Sequence, residues 1–248
     1  MKQVLYGFGV AALLVLIGWQ WQKNSSTKVE NVTVTGPKPA EKVAYVTFDD
    51  GPSEITPGIL DTLKKYDAKA TFFLIGEEIT EEREEIVKRE IEEGHSVGVH
   101  TYCHKKEEMY CNKEYFWNDF EKCKTRIEEV IGKPVSLHRF PWGSNNRYVC
   151  PLVDDLMEEL QKKKITSFDW NVSGEDSISP HVSQAVIFQN VKKDVTRFEK
   201  PIILLHDASA MDNTAKVLPR IIDYIKEQGY RFDTLDHREE YLFPASWR

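Results

Sequence analysis

Basic charge is in short supply in this sequence of 248 residues. Its 33 lysines and arginines stand against 40 aspartates and glutamates, leaving a formal net charge of −7. That balance argues against a nucleic-acid partner, because phosphate binding needs a basic surface. A neutral substrate, or one approached through a metal, suits it better. Cysteine is scarce too: the four residues, Cys103, Cys111, Cys123 and Cys150, contain no CxxC pair, the spacing usual in four-cysteine zinc sites. Internal repeats are absent, and beyond a polar stretch near the N-terminus there is no low-complexity block.

One apolar run does stand out. Residues 4–19, VLYGFGVAALLVLIGW, carry no charge and follow Met1-Lys2-Gln3, as the core of a signal peptide or a short membrane helix would. A cleavable signal ends in a small-x-small site, whereas here the chain continues GWQWQKN, and Trp19 and Trp21 suit an interfacial aromatic belt. Residues 1–22 are therefore expected to form an uncleaved transmembrane anchor, with a cleaved signal as the alternative. Either places the rest of the chain at the extracellular face of the membrane or makes it secreted. Residues 23–41, KNSSTKVENVTVTGPKPAE, read as a polar linker. Residues 42–248, about 205 in all, suffice for one sizeable domain. In an exported chain an even number of cysteines implies disulfides; Cys103–Cys111 with Cys123–Cys150 closes the shortest loops, and a zinc site is the alternative.

From Lys42 onward, short apolar runs alternate with longer amphipathic ones. Strands are predicted at 43–48, 70–75, 96–100, 136–140, 165–170, 202–206 and 230–235. Helical patterns fall between them, such as TEEREEIVKREIEEG, which stops at Gly94. The acidic cluster Glu81–Glu85 within it reads as the solvated face of a helix. Alternation repeated about seven times predicts parallel β/α units closing as a barrel, with its chemistry at the C-terminal ends of the strands.

Those ends carry a short list of polar residues: Asp49 and Asp50, His100 and His104, Arg139, Asp176 and His206. Two adjacent carboxylates at the mouth of a buried strand repel each other, and desolvation raises the cost of keeping both ionised. A polar Asp-Gly-Pro turn explains them partly; a nearby cation explains them better. His100 and His104 are four apart, which on a helical turn places both imidazoles on one face. With Asp50 they make a two-histidine, one-carboxylate metal set that leaves room for water and substrate. His206 and Arg139 both emerge from apolar strands. His95, His138, His181 and His237 have no such company and are assigned no role.

Taken together, TFDDGP (47–52), HTYCH (100–104), RFPWG (139–143), WNVSGED (170–176) and LLHD (204–207) resemble, in order, the motifs of carbohydrate esterase family 4, the polysaccharide deacetylases. The resemblance runs from Val43 to about Leu235. It implies a distorted β/α barrel that removes acetyl groups from N-acetylglucosamine-type polymers with a divalent metal, zinc first and cobalt or nickel as substitutes. By the same resemblance Asp50, His100 and His104 would bind the metal and Asp49 would be the general base, held by Arg139. His206 would be the general acid, supported by Asp176. Leu204, Trp142 and Pro141 would contact substrate, the Trp142 main-chain N–H serving the oxyanion. Two positions depart from the pattern: Trp142 stands where the family usually has tyrosine, and Ser177 where tryptophan follows the aspartate of the fourth motif. The expected partners are an acetylated glycan, peptidoglycan first, and a membrane through the N-terminal helix; no obligate protein partner is implied. Chitin oligomers and acetylxylan are alternative substrates, and a catalytically silent glycan-binding module is the alternative function.

Overall fold

The β-branched and aromatic run Val43–Phe48 forms the start of β1 (Val43–Gly51), buried along its length except at Asp50. It lies mid-sheet because it pairs on both sides. Strand β2 (Ala70–Ile75) runs parallel to it on one side, from Val46 opposite Ala70, and β7 (Ile202–His206) on the other, from Tyr45 opposite Ile202 to Asp49 opposite His206. Beyond β2 come β3 (Ser96–Thr101), β4 (Leu137–His138) and β5 (Thr166–Ser167), and beyond β7 lies β6 (Val172–Ser173). A short β8 (Arg231–Phe232) pairs with the first two residues of β1. Each of these pairings is parallel. The computed structural model describes residues 41–179 and 181–247. The expected anchor and all but the last residue of the expected linker lie outside that range. Among the described residues no helix is long and apolar enough to cross a membrane.

Parallel strands need crossovers, and helices supply them. They are α1 (Thr56–Lys65), α2 (Glu84–Glu92), the single turn α3 (Lys106–Met109), α4 (Lys113–Ile131), α5 (Val153–Lys162), α6 (Gln184–Val195) and α7 (Asp212–Glu227). The longest, α4, begins where the Asn112 side chain accepts the Tyr115 N–H and ends at Gly132 in left-handed conformation.

The two-residue period of β1 divides the core. Ala44, Val46 and Phe48 join the large cluster under the helices, whereas Val43 and Tyr45 join Phe73, Leu137, Phe168 and Ile202 on the inner face. On β7, Ile203 and Leu205 face the helices and Ile202 the interior. The same alternation carries Thr47, Asp49, Leu204 and His206 to the inner side.

The structure departs from the sequence-based reading in three ways. Strands β4, β5 and β8 keep only two residues each, and β6 was not foreseen. The barrel does not close: β5 and β6 are the two ends of an open half-barrel, and the tail bridges Phe168 to Tyr241. The expected disulfides are also absent, all four cysteines being free thiols. Three of the side chains aim at separate partners: the Cys103 thiol at Asp119, Cys111 at the Glu107 carbonyl and Cys123, buried on α4, at the Leu74 carbonyl.

A thiol reagent should accordingly modify Cys111 quickly in the native protein and spare Cys123, while denaturation exposes four reactive thiols. Reductant should leave the melting temperature unchanged. Counting modified thiols by mass spectrometry checks both points, and fewer than four reactive groups under denaturing, non-reducing conditions would restore the disulfide reading.

Candidate active site

Strict alternation would turn Asp50 away from Asp49, toward the helices. An irregularity in the β1–β2 register between Asp49 and Gly51 prevents this, and Asp50 adopts a left-handed backbone with φ 75°. Such a kink at a strand end re-aims a side chain. The next residue must be glycine, because a Cβ there would lie 2.3–2.6 Å from the Asp207 carboxyl. The adjacent aspartates are thus separated by backbone geometry.

Asp50 meets the two histidines at the rim. Its Oδ1 lies 3.4 Å from Nε2 of both His100 and His104. The histidines do not share a helical turn, as their spacing had suggested: His100 ends the inner face of β3, and His104 follows a tight turn at φ 55°. Asp119 of α4 pins that turn, accepting from Thr101 Oγ1 at 2.7 Å, Tyr102 N at 2.8 Å and Cys103 N at 3.3 Å.

These residues suit a divalent cation. Donor atoms of Asp50, His100 and His104 all lie within 4.8 Å of one another, and Asp50 Oδ1 is buried with no hydrogen-bond partner. The Arg139 carbonyl accepts from His100 Nδ1 at 3.0 Å, which leaves the Nε2 lone pair facing Asp50. Burial lowers the His100 pKa to about 3, so the ring stays neutral and able to ligate. An orphaned carboxylate oxygen between two imidazole nitrogens is what a bound cation would satisfy.

Asp49 lies behind this cluster, 3% exposed, and Arg139 is fully buried beside it. The guanidinium donates from Nη1 to Asp49 Oδ1 at 2.8 Å and to Thr47 Oγ1 at 2.6 Å, and from Nε to the Phe168 carbonyl at 2.9 Å. Its plane packs 4.3 Å from the Phe73 ring centre. Burial raises the Asp49 pKa, and the charges of Arg139 and His206 pull it back only in part.

Across the groove, His206 Nδ1 donates to Asp176 Oδ1 at 2.9 Å, and its main-chain N–H to Oδ2 at 2.8 Å. The Thr214 hydroxyl adds a third bond to Asp176 at 2.7 Å. Burial disfavours the imidazolium, but the hydrogen bond and charge of Asp176 outweigh it and raise the His206 pKa to about 9. His206 Nε2 lies 3.3 Å from the Ser177 hydroxyl, at the position that departs from the family pattern.

A cavity of about 490 Å³ joins these groups, with Leu204 and Trp170 in its walls. Trp142, at φ 64° and 45% exposed, stands edge-on to His104 with ring centres 4.8 Å apart. Nine of the ten residues singled out in the sequence line this cavity or support one that does: Asp49, Asp50, His100, His104, Trp142, Leu204 and His206 line it, and Arg139 and Asp176 stand behind. Pro141 does not: it is buried, and its carbonyl accepts from Tyr110 and Asn146. Sequence reading missed Asp119 and Thr214, which no local pattern marks, and Ser177, which it noted only as an absence of tryptophan. The histidines left without a role stay apart from the cavity. Ala70 N donates to His95, and His138 bonds to Ser167.

Comparison with known proteins agrees with this geometry. The profile of the polysaccharide deacetylase family matches residues 36–158. A peptidoglycan-N-acetylglucosamine deacetylase of Bacillus cereus is 37% identical over 214 residues, 83% of this chain and 73% of that protein. Among solved structures, the catalytic domain of a peptidoglycan N-acetylglucosamine deacetylase from Eubacterium rectale superposes with a TM-score of 0.75 at 29% identity, over 84% of this chain and 96% of that one. A polysaccharide deacetylase from Bacillus cereus gives 0.70 at 36% identity, over 82% and 96%. With this likeness spanning both the half-barrel and the groove, the chain belongs to the polysaccharide deacetylase family, carbohydrate esterase family 4.

Proposed function

We propose that this protein hydrolyses the N-acetyl groups of N-acetylglucosamine-type polysaccharide, peptidoglycan first, with a divalent cation, zinc first, held by Asp50, His100 and His104. The observation that carries the proposal is the pair of proton carriers flanking that cluster: a buried carboxyl, Asp49, held by Arg139, and an imidazole, His206, held by Asp176. The names of the matched relatives favour peptidoglycan. The uncharged run at 4–19 belongs to the same proposal, as a segment that keeps the enzyme outside the cell beside its polymer.

When bound, the cation would supply an acidified water and positive charge for the carbonyl oxygen. The chain's own residues do the rest. Asp49 accepts the proton of the attacking water, and its raised pKa makes it a stronger base than a solvated aspartate. Arg139 fixes which oxygen of Asp49 faces the groove. The Trp142 main-chain N–H donates to the oxyanion as charge develops. His206, protonated at neutral pH, gives its proton to the nitrogen, which otherwise leaves poorly. Asp176 holds the imidazole through Nδ1, so that Nε2 faces the substrate.

Acetate release from peptidoglycan, chitin oligomers and acetylxylan, with and without a chelator, tests the proposal. Release should be greatest from peptidoglycan and should stop with chelator; no release from any of the three by metal-replete protein would sink it. Asp50→Ala should lose the metal by elemental analysis. Asp49→Asn should keep it and lose about 10²–10⁴-fold in kcat; equal loss of metal in both variants would contradict the division of labour.

Activity should also fall on the alkaline side as His206 loses its proton, at or below pH 9, since a bound cation disfavours the imidazolium. Asp176→Asn removes the charge that raises this pKa. Its alkaline limb should shift to lower pH in a kcat–pH profile, and an unmoved limb would show that another group is the acid.

A further inference from the structure

One fully buried carboxyl near the groove takes no part in the chemistry above and lies outside the motif segments. Asp169, in the segment Phe168-Asp169-Trp170 before β6, is 0% exposed. Its Oδ1 accepts the Ser144 N–H at 2.9 Å, and its Oδ2 accepts the Ser144 hydroxyl at 2.5 Å and the Phe243 N–H at 2.7 Å. Its main chain reaches the same surroundings. The Asp169 N–H donates to the Tyr241 carbonyl at 2.7 Å, and its own carbonyl accepts from Arg139 Nη2 at 3.4 Å.

The two segments that Asp169 joins are distant in sequence. Ser144 closes the turn that carries Trp142 and Gly143, at φ 64° and 83°. Two successive left-handed residues, one of them a tryptophan, persist only where the surroundings hold them. Phe243 belongs to the C-terminal tail. Its ring meets Trp170 edge-on, centres 5.0 Å apart, and lies so close to Gly143 that a Cβ there would come within 2.8 Å of it. The tail is thus packed against the back of the turn whose front faces the cavity.

We propose that Asp169 is a positioning residue that locks the 141–144 turn to the C-terminal segment 241–243 and so fixes the direction of the Trp142 peptide at the reacting acetyl group. This rests on the deacetylase reading of the site for its catalytic consequence, not for the mechanical link. Asn146 grips the same turn from the other side, donating to the Pro141 and Gly143 carbonyls at 3.0 and 2.8 Å. Loss of Asp169 therefore loosens the turn without unfolding it. A donor displaced by about 1 Å can cost about 10²-fold in rate while substrate still binds.

Asp169→Asn is the direct test, because asparagine fails in either orientation. Its amide group must face either the Ser144 N–H or the Phe243 N–H, both donors. The variant should keep its metal and its KM for chitin oligomers within about two-fold, and lose at least about ten-fold in kcat. Hydrogen exchange followed by mass spectrometry should rise together in 141–146 and 241–247, with 43–51 unchanged. Ser144→Ala, which removes only the hydroxyl arm, should give the same pattern more weakly, and decides the matter if Asp169→Asn does not fold. A kcat within about two-fold of wild type, or a loss matching only the unfolded fraction, would overturn the catalytic role. A rise in exchange in one segment alone would overturn the link. If the wild-type protein releases no acetate, the deacetylase reading fails, and the exchange experiment still tests the link.

Discussion

The guanidinium of Arg139 is the group around which this molecule is arranged. It is fully buried, faces Asp49, and reaches Thr47 of β1, the Phe168 carbonyl and the Asp169 carbonyl. A buried charge missing one partner costs about 3–5 kcal/mol, so each of those segments is held in place by the need to satisfy it. The carbonyl of the same residue orients His100. One side chain and its own backbone thus touch both halves of the site, the buried Asp49 carboxyl and His100 of the Asp50-His100-His104 cluster.

The open half-barrel makes this possible. In a closed barrel the space between β5 and β6 would be occupied by another strand pairing, and the interior filled by apolar layers. Here residues 168–170 and the tail at 241–243 occupy that sector, and the Arg139 side chain fills the interior behind the groove. Opposite, His206 and Asp176 form a second pair, supported by Thr214 of α7. Both proton carriers are shifted upward, from different causes. Burial raises Asp49, and Asp176 raises His206, so at neutral pH one side favours accepting a proton and the other donating one.

Much of this was legible in the sequence, and the reasons are local. The ends of apolar runs brought Asp49, Asp50, His100 and His206 to one rim, because finding where such a run stops needs only neighbouring residues, whereas Leu204 came from the family resemblance. Nine of the ten residues singled out in the five motif segments line the cavity or support a residue that does. Where the reading failed, the deciding contacts came from elsewhere in the chain. His104 was set by a turn that Asp119, on another element, pins through three hydrogen bonds. Pro141 is buried away from the cavity lining, its carbonyl accepting from Tyr110 and Asn146. The cysteines fall within a 48-residue window of sequence, yet all four are free, and the thiols of Cys103, Cys111 and Cys123 are divided among separate partners.

The sequence by itself determined the parallel β/α class, the chemical groups at the strand ends and the family, all of which rest on short-range pattern and residue type. Only the tertiary structure decided that the barrel stays open, that Asp50 is re-aimed by a kink at the end of β1, and that Asp169 ties the Trp142 turn to the tail. The physical reason is shared by all three. Each depends on hydrogen bonds or steric contacts between segments tens of residues or more apart, whose meeting is fixed by how the packed core brings them together rather than by any local preference of the chain.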